Sequence, residues 1–186
     1  MSGRRYRPIE TTALPVSIEE GSVVYEDPTQ RIRKVVARFA DFSKEYYVSD
    51  HGRNAAIVAI RQDHVLLVRQ YRLLKNGISI EIPGGRIEES ESPREAAVRE
   101  CEEETGIRCG NAALLIEYHS SLEILKNHTH VFYSEESLPI SSDRSDRLLW
   151  VPMTECLRMV FDGRISDSLS VLALLAYQVK RRGQFE

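Results

Sequence analysis

The sequence predicts an α/β fold in which helices pack on a sheet around one core. Three features of the chain support this prediction. Short segments rich in Val, Ile, Phe and Tyr dominate the first part, one helical segment interrupts the middle, and helical segments close the chain. β-Branched and aromatic residues favour strands, and a sheet covered by helices is a stable way to bury such segments.

The composition is that of an ordinary globular protein. The 186 residues are 42% hydrophobic and 28% charged, which suits one domain, or one domain with a small extension. The net charge of -3 and the pI near 6.0 argue against a protein that coats nucleic acid. We therefore expect no nucleic-acid partner.

Cysteine usage and hydropathy point to the cytoplasm. The three cysteines are Cys101, Cys109 and Cys156, an odd number without paired metal-type spacing, which suggests a reducing compartment and no disulfides. The N-terminus has no apolar segment behind its arginines, so no signal peptide is predicted. The most apolar stretch, Val171 to Val179, is too short to span a bilayer. We expect a cytoplasmic protein without membrane association.

The chain divides into a lead-in, a strand-rich part and helices. Residues 1–21 are expected to be loosely structured, and a hairpin is expected at Arg61-Gln62-Asp63. The predicted strands are SVVYED, RIRKVVARFA, KEYYV, NAAIVAI, HVLLVRQYR, ISIEIP, AALLIEYH, HTHVFYS and RLLWVP. The predicted helices after the central one are MTECLRMVF and SDSLSVLALLAYQVKRR.

The central helix has clear start and stop signals. Ser92 can cap it, Pro93 suits its first position, and Glu95 completes a capping box. Gly106 tolerates the left-handed conformation that ends a helix. The helix is therefore predicted from Pro93 to about Thr105.

Three carboxylates share one face of this helix. At about 100° per residue, Glu103 and Glu104 lie on either side of Glu100. Repulsion between such neighbours costs a few tenths of a kcal/mol per pair, so the segment could simply be a solvated acidic face. Three convergent carboxylates would also suit a hard divalent cation such as Mg²⁺. Helix geometry alone leaves both interpretations open.

The spacing around the helix resembles the Nudix box. Gly85 is followed after five residues by Glu91, and after seven more by Arg99-Glu100-Cys101-Glu102-Glu103-Glu104-Thr105-Gly106-Ile107. The family pattern is Gly, five residues, Glu, seven residues, Arg-Glu, a bulky apolar residue, any residue, Glu-Glu, any residue, Gly and a bulky apolar residue. Cys101 is the soft departure, and a buried thiol behaves as a small hydrophobe.

This resemblance implies a Nudix hydrolase, an α/β/α sandwich with a mixed sheet and extra N-terminal strands. It implies that Glu100, Glu103 and Glu104 are the catalytic carboxylates and hold Mg²⁺ or Mn²⁺. The carbonyl of Gly84 would be a further metal ligand. Glu91 and Arg99 would form a structural pair that orients the loop against the helix.

Three further segments resemble the ADP-ribose pyrophosphatase and nucleotide-sugar hydrolase branch of that family: LLVRQYR, EIPGGRIEESESP and FDGRISDSLSVLALLAY. In that branch the positions of Arg72 and Glu81 line the substrate and metal site. From the residues alone, a surface ion pair for Arg72 and an exposed carboxylate for Glu81 are the commoner interpretations. The branch also implies that residues 1–50 are an extension of strands used for dimerisation, and that residues 51–186 are the hydrolase domain.

Two departures leave the substrate and the general base open. ADP-ribose-specific members often carry a proline sixteen residues beyond the box, where this chain has Glu123. Many members take their base from a glutamate in the loop before a late strand. The candidates here are Glu103, Glu135, Glu136, Asp143 and Asp146.

The predicted reaction is Mg²⁺-dependent hydrolysis of the diphosphate bond in a small-molecule nucleoside diphosphate derivative, either ADP-ribose or a nucleotide sugar. The products would be a nucleoside monophosphate and a phosphorylated group. The branch implies a homodimer in which Val23 to Val48 contribute to the interface. The alternatives are a non-hydrolytic nucleotide sensor and a nucleoside triphosphate pyrophosphohydrolase. The intact glutamates argue against the sensor.

A pair of histidines lies outside these motifs. His128 and His130 alternate on a predicted strand and therefore share a face. Two ligands are too few for a stable zinc site, and the sequence shows no third ligand nearby. A metal site is therefore not predicted here.

Overall fold

The computed structural model of the protein describes residues 14–139 and 146–183. In chain order the strands are β1 Ser17–Glu26, β2 Arg31–Arg38, β3 Ser43–Arg61, β4 His64–Arg72, β5 Gly77–Glu81, β6 Gly84–Arg86, β7 Ile107–Gly110, β8 Ala113–His119, β9 Leu125–Ser134, β10 Glu136–Pro139 and β11 Leu148–Pro152. The helices are α1 Pro93–Thr105, α2 Met153–Phe161 and α3 Ser168–Arg181, and a short 3-10 turn spans Leu73–Lys75. The described residues form two compact units, the first within Met1–His51 and Ser121–Lys126 and the second within Gly52–Ser120 and Asn127–Glu186.

The first unit is an antiparallel meander of strands. β1 pairs with β2, and β2 pairs with the first part of β3, with Arg31 opposite Asp50. An ion pair of 2.9 Å between Lys44 Nζ and Glu123 Oε1 ties the segment Ser121–Lys126 to this meander. The expectation of a loose lead-in was wrong from Ser17 to Gly21, because Ser17 already pairs with Arg38. That partner lies far along the chain, so local sequence gave no sign of it. Residues 1–13 of that lead-in lie outside the described residues.

In the second unit, helices cover both faces of a sheet. β4 pairs with the end of β3, with β5 and with β11, while β3 also pairs with β6 and β9. Alternate residues of a strand point to opposite faces, and β3 follows this rule closely. One face packs against α1 through a buried cluster that includes Ala55, Ile57 and Ala59. The other face packs against α2 and α3. This arrangement confirms the predicted α/β/α sandwich with a mixed sheet.

Two local predictions about β3 had different outcomes. The hairpin to β4 turns at Gln62 and Asp63, whose φ angles of 48° and 63° are those of a type I′ turn, as expected. The segments KEYYV and NAAIVAI were predicted as separate strands but belong to one strand of 19 residues. The strand continues because its partner changes, from β2 up to Asp50 to β6 from Asn54 onward.

The helices of the described ranges are short. The longest is α3 with 14 residues, and none is both long and apolar enough to cross a membrane.

Candidate active site

Helix α1 has the bounds predicted from its caps. The hydroxyl of Ser92 accepts from the backbone N–H of Glu95, and the Glu95 carboxylate accepts from the backbone N–H of Ser92, which completes the capping box. Gly106 ends the helix with a φ of 69°. Ala96 and Cys101 are fully buried against the sheet. Because one side of the helix is fixed in this core, the glutamates on its other side have defined positions.

Glu104 is half-buried and held by two donors. Its Oε1 accepts from Gln70 Nε2 at 2.6 Å, and its Oε2 accepts from the backbone N–H of Gly84 at 3.1 Å. Burial raises the pKa of Glu104, and the negative charge of Glu100 raises it further. The two hydrogen bonds and Arg72 oppose this shift without cancelling it. The negative charge of Glu104 is therefore not fully offset by the hydrogen bonds and positive charges around it in the protein alone.

Glu100 lies directly against the backbone of the preceding loop. A Cβ atom built on Gly85 would be 2.5 Å from the carboxyl carbon of Glu100, a distance that no real Cβ contact allows. The glycine at this position is therefore required for the carboxylate to occupy its site. This contact gives the first glycine of the box a specific physical role.

Arg99 links the loop to the helix. Its guanidinium donates to Glu91 at 2.6 and 3.0 Å, to the backbone carbonyl of Arg86 at 3.0 Å, to Glu100 at 2.9 Å and to Glu103 at 3.1 Å. The expected pairing of Glu91 with Arg99 is therefore present. Hydrogen bonds from Arg99 lower the pKa of Glu91, aided by the backbone N–H of Glu88.

The three helix carboxylates differ in their surroundings. The side chain of Glu103 is 60% exposed, whereas that of Glu100 is 17% exposed. They do not converge on one point. In the described ranges, a group of three ligand atoms that lie within 4.8 Å of one another is found on β8 and β9 instead. These atoms belong to His and Glu side chains.

All three carboxylates line one pocket of about 640 Å³. Arginines contribute positive charge to the same walls. The lining residues are Val68, Arg69, Gln70, Tyr71, Ile78, Glu100, Glu103, Glu104, Asp146 and Arg147. Carboxylates bind hard cations and guanidinium groups bind phosphate oxygens, so a ligand that carries both a cation and phosphates suits this pocket.

The structure separates the candidates for the general base. Glu103 and Asp146 line the pocket described above. Glu135 accepts from the hydroxyl of Tyr177 at 2.8 Å and lines a different cavity. Glu136 lies on β10, where it pairs with Gly110 of β7. Asp143 lies outside the described residues.

Arg72 and Glu81 form a two-pronged ion pair between neighbouring strands. Arg72 Nε donates to Glu81 Oε1 at 2.9 Å, and a second bond joins Nη2 to Oε2. The Glu81 side chain is only 7% exposed, so it is not the solvent-exposed carboxylate that residue statistics favour. Burial raises the pKa of Glu81, but Arg72 and Ser79 outweigh this effect and lower it overall. Neither Arg72 nor Glu81 is among the residues that line the acidic pocket.

Replacing Arg72 by Met is expected to lower the free energy of unfolding by about 1–2 kcal/mol at pH 7, because it leaves a buried carboxylate without its main donor. The half-exposed arginine keeps this cost below that of a fully buried pair. Since the pKa of Glu81 lies below 4.5 in the folded protein, the pair stabilises above that pH and the effect fades as the pH falls toward 3. Urea unfolding of wild type and variant between pH 3 and 7 measures this.

The matched control for this variant is Arg158→Met, which removes an exposed arginine paired with Glu155 at 3.2 Å. It should leave the free energy of unfolding nearly unchanged at every pH. An equal loss in both arginine variants, or a loss in the Arg72 variant that persists unchanged at pH 3, would contradict the role given to the Glu81 pair.

Three residues that support the site were not predicted. Gln70 fixes Glu104, and the hydroxyl of Ser170 accepts from the backbone N–H of Ile82 at 3.0 Å, just before the loop that carries Gly84. Asp167 in turn accepts from the Ser170 hydroxyl at 2.9 Å. Ser170 is fully buried, and in the sequence it is a polar residue within an otherwise apolar helix segment. Because buried polar groups need hydrogen-bond partners, this pattern could have indicated its supporting role.

The protein is thus an α/β/α sandwich with a capped acidic helix beside a pocket lined by arginines. The NUDIX domain family model matches residues 50–167, more than half of the chain, and the protein therefore belongs to the Nudix hydrolase family. The methanol dehydrogenase activator of Bacillus methanolicus is 30% identical over 144 residues, which cover 74% of this chain and 78% of that protein. The ADP-ribose pyrophosphatase of Bacillus subtilis is 26% identical over 144 residues, with the same coverages of 74% and 78%.

The fold has a solved counterpart. The crystal structure of ADP compounds hydrolase superposes with a TM-score of 0.79 and 20% identity, and the match covers 95% of this chain and 98% of that chain. This likeness confirms the predicted fold class. The resemblance of the sequence to the ADP-ribose pyrophosphatase branch is confirmed by the relatives.

Proposed function

We propose that the protein is a Mg²⁺-dependent pyrophosphatase that cleaves the diphosphate bond of a nucleoside diphosphate derivative, either ADP-ribose or a nucleotide sugar. The observation that carries this proposal is the pocket that joins Glu100 and Glu104 to Arg69 and Arg147. The Bacillus subtilis relative, an ADP-ribose pyrophosphatase, supports the same class of substrate.

The donor set fits a hard divalent cation. Glu100, Glu103 and Glu104 line one pocket without converging on one point. With the carbonyl of Gly84 they would hold one or more Mg²⁺ or Mn²⁺ ions through oxygen atoms alone. The raised pKa of Glu104 supports this, because a buried carboxylate next to Glu100 gains most from a neighbouring cation. When bound, such a cation neutralises charge on the diphosphate and lowers the pKa of a water molecule.

The residues around these carboxylates would bind and position the substrate. Arg69 and Arg147 can donate to phosphate oxygens, since a guanidinium matches their geometry. Glu103 and Asp146 face the same space, and either can accept a proton from the water that attacks phosphorus. The pair of Arg72 and Glu81 would fix the end of the strand that carries Gln70, and we retain both residues as contributors to substrate binding.

A substrate panel tests this function. The full-length protein is incubated with Mg²⁺ and, separately, ADP-ribose, ADP-glucose, GDP-mannose, UDP-glucose, CDP-choline and dGTP, and phosphate is followed with a coupled phosphatase. We expect release from one or a few of the nucleoside diphosphate derivatives and little from dGTP. Chromatography of the products without phosphatase separates the reactions, because a nucleoside diphosphate derivative yields a nucleoside monophosphate and a phosphomonoester. Pyrophosphohydrolysis of dGTP, which the phosphatase also attacks directly, would instead yield dGMP and pyrophosphate.

Each other outcome of the panel has a clear meaning. Preferential hydrolysis of dGTP would replace the proposal with a nucleoside triphosphate pyrophosphohydrolase. Tight binding of one compound without turnover would indicate a sensor. Equal turnover in the presence of a chelator would exclude the dependence on Mg²⁺.

We also propose that residues 1–50 are a dimerisation extension and that β1 carries part of a homodimer interface. Apolar side chains are exposed there in a single chain, among them Ile18 at 66%, Val24 at 49% and Tyr25 at 48%. An exposed strand of this kind is covered in most proteins. The segment Val23 to Val48 includes two of these residues.

Light scattering coupled to gel filtration tests the dimer. Wild type is expected at twice the chain mass of 21.3 kDa, and Val24→Glu at the mass of one chain. Leu138→Glu is the control, since Leu138 is 72% exposed on β10 and lies outside the proposed interface. A monomeric wild type, or an unchanged mass for Val24→Glu, would contradict the proposal.

A further inference from the structure

The two histidines noted in the sequence lie on a face of the β8–β9 hairpin. The hairpin is antiparallel, with Glu117 opposite His130 and His119 opposite His128. Side chains opposite each other on one face of such a pair are close neighbours. The hairpin therefore brings one carboxylate and three imidazole rings together, although they are spread over 14 positions of the chain.

Three of these side chains point their ligand atoms at one another. Glu117 Oε2 lies 3.2 Å from His128 Nε2 and 3.7 Å from His130 Nε2. One ligand atom from each of the three residues lies within 4.8 Å of both others. Two ligands of one tetrahedral zinc ion are roughly 3.3 Å apart, given bonds of about 2.0–2.1 Å. The observed separations are close to that value.

A hydrogen bond to Glu117 does not account for the position of His130. The 3.7 Å between its Nε2 and Glu117 is too long for a hydrogen bond. Its Nδ1 is buried and has no hydrogen-bond partner within the described ranges. The side chain of His130 is 11% exposed, and Nε2 is the ring nitrogen that faces Glu117.

We propose that Glu117, His128 and His130 form a second metal site that binds Zn²⁺. Two imidazoles and one carboxylate are a ligand set that zinc uses when three protein ligands leave one position open. The side chain of Glu117 is 44% exposed and that of His128 is 34% exposed, so the open position faces solvent. His119 stacks on His128 with 4.6 Å between ring centroids and is a neighbour of the site rather than a ligand.

The two metal sites differ in chemistry and in position. The carboxylates of α1 offer oxygen atoms, which suit Mg²⁺, whereas two nitrogen donors favour zinc and later transition metals. None of the three hairpin residues lines the acidic pocket. The zinc site does not depend on the proposed hydrolysis, and either proposal can fail while the other holds.

Zinc binding is measured on the full-length protein after treatment with a chelator and desalting. Zn²⁺ is titrated by calorimetry in the presence of excess Mg²⁺, which occupies the carboxylates of α1. We expect one zinc ion per chain. Co²⁺ substituted at the site should give the strong visible absorption of four-coordinate nitrogen and oxygen ligation, whereas six-coordinate Co²⁺ on carboxylates absorbs weakly.

Matched variants locate the bound ion. Loss of a residue that only supports a metal ligand weakens metal binding by roughly 10- to 100-fold. We expect a larger loss of zinc affinity from each of the three ligand variants, Glu117→Gln, His128→Gln and His130→Gln. His64→Gln is the control, because His64 is a partly exposed histidine whose Nδ1 lies 2.8 Å from the backbone carbonyl of Gln62. It should bind one equivalent like wild type, and so should Glu104→Gln.

Three results would overturn the site. They are a wild type that binds no zinc in excess Mg²⁺, histidine variants that bind as well as wild type, and a loss of zinc in Glu104→Gln as large as in His130→Gln. Glu117→Gln guards against misfolding as an explanation. Its side chain is partly exposed, and its circular dichroism and unfolding temperature without metal should equal those of wild type.

Discussion

The Glu104→Gln variant is expected to lose about 10³-fold in kcat with Mg²⁺ while keeping its fold, because loss of a metal ligand removes several kcal/mol of transition-state stabilisation. The amide is the same size as the carboxylate and can still accept from the backbone N–H of Gly84, a bond of 3.1 Å in wild type. Its net charge is zero, so the cation is held less tightly. Steady-state kinetics over a range of Mg²⁺ concentrations measure both effects.

Glu102→Gln is the matched control for that variant. Glu102 lies on the same helix but pairs with Arg108 at 2.9 Å and is absent from the residues that line the acidic pocket. Its removal should leave kcat unchanged. A wild-type kcat in Glu104→Gln, or an equal loss in Glu102→Gln, would exclude the metal role of Glu104.

The stability of Glu104→Gln gives an independent check. A carboxylate whose pKa is raised by folding destabilises the protein once the pH exceeds its unfolded value, because the folded state must then give up a proton it holds more tightly. Without metal, the stability of wild type relative to the variant should therefore fall as the pH rises from 4.5. At pH 7 in a chelator, the unfolding temperature of Glu104→Gln should equal or exceed that of wild type.

The Gly85→Ala variant is expected to lose about 10²-fold in kcat with little change in stability, since a displacement of about 1 Å at a reacting centre can cost that much. The new methyl group would lie 2.5 Å from the carboxyl carbon of Glu100 in its wild-type position, so the two groups would collide. That carboxylate is the end of a flexible side chain and can rotate away. The helix stays in place, and a proposed metal ligand leaves its site.

The neighbouring glycine provides the contrast. A Cβ on Gly84 would lie 2.5 Å from the Cβ of Ala56 and 2.7 Å from the backbone carbonyl of Ala55, neither of which can rotate away. Gly84→Ala should therefore lower the free energy of unfolding by about 1–3 kcal/mol, as overpacking does. Thermal unfolding and kcat are measured for both variants. Equal losses of stability in the two would contradict the separate roles of these glycines.

Local signals predicted much of the fold and part of the site. The bounds of α1 follow from a serine cap, a capping box and a terminal glycine, all of which act within a few residues. The hairpin at Gln62 and Asp63 follows from similar short-range chemistry. The spacing of Glu91, Arg99 and the helix glutamates was sufficient to place the chain in its family.

Interactions between distant segments were harder to predict. The start of β1 at Ser17 depends on Arg38, and the length of β3 depends on two different partner strands. Glu81 is buried because β5 places it opposite Val68 of β4. Hydrophobic periodicity carries no information on which strand will be the neighbour.

The sequence by itself determined the family and, through the family resemblance, the α/β/α layers. It also determined the bounds of α1 and the set of carboxylates on its face, because these follow from caps, periodicity and fixed spacing. Only the tertiary structure decided that Asp146 reaches the acidic pocket and that Glu135 does not. It also decided that Glu117 joins His128 and His130. The physical reason is common to these cases: strand register and loop path set which distant side chains meet, and both are fixed by packing of the whole sheet.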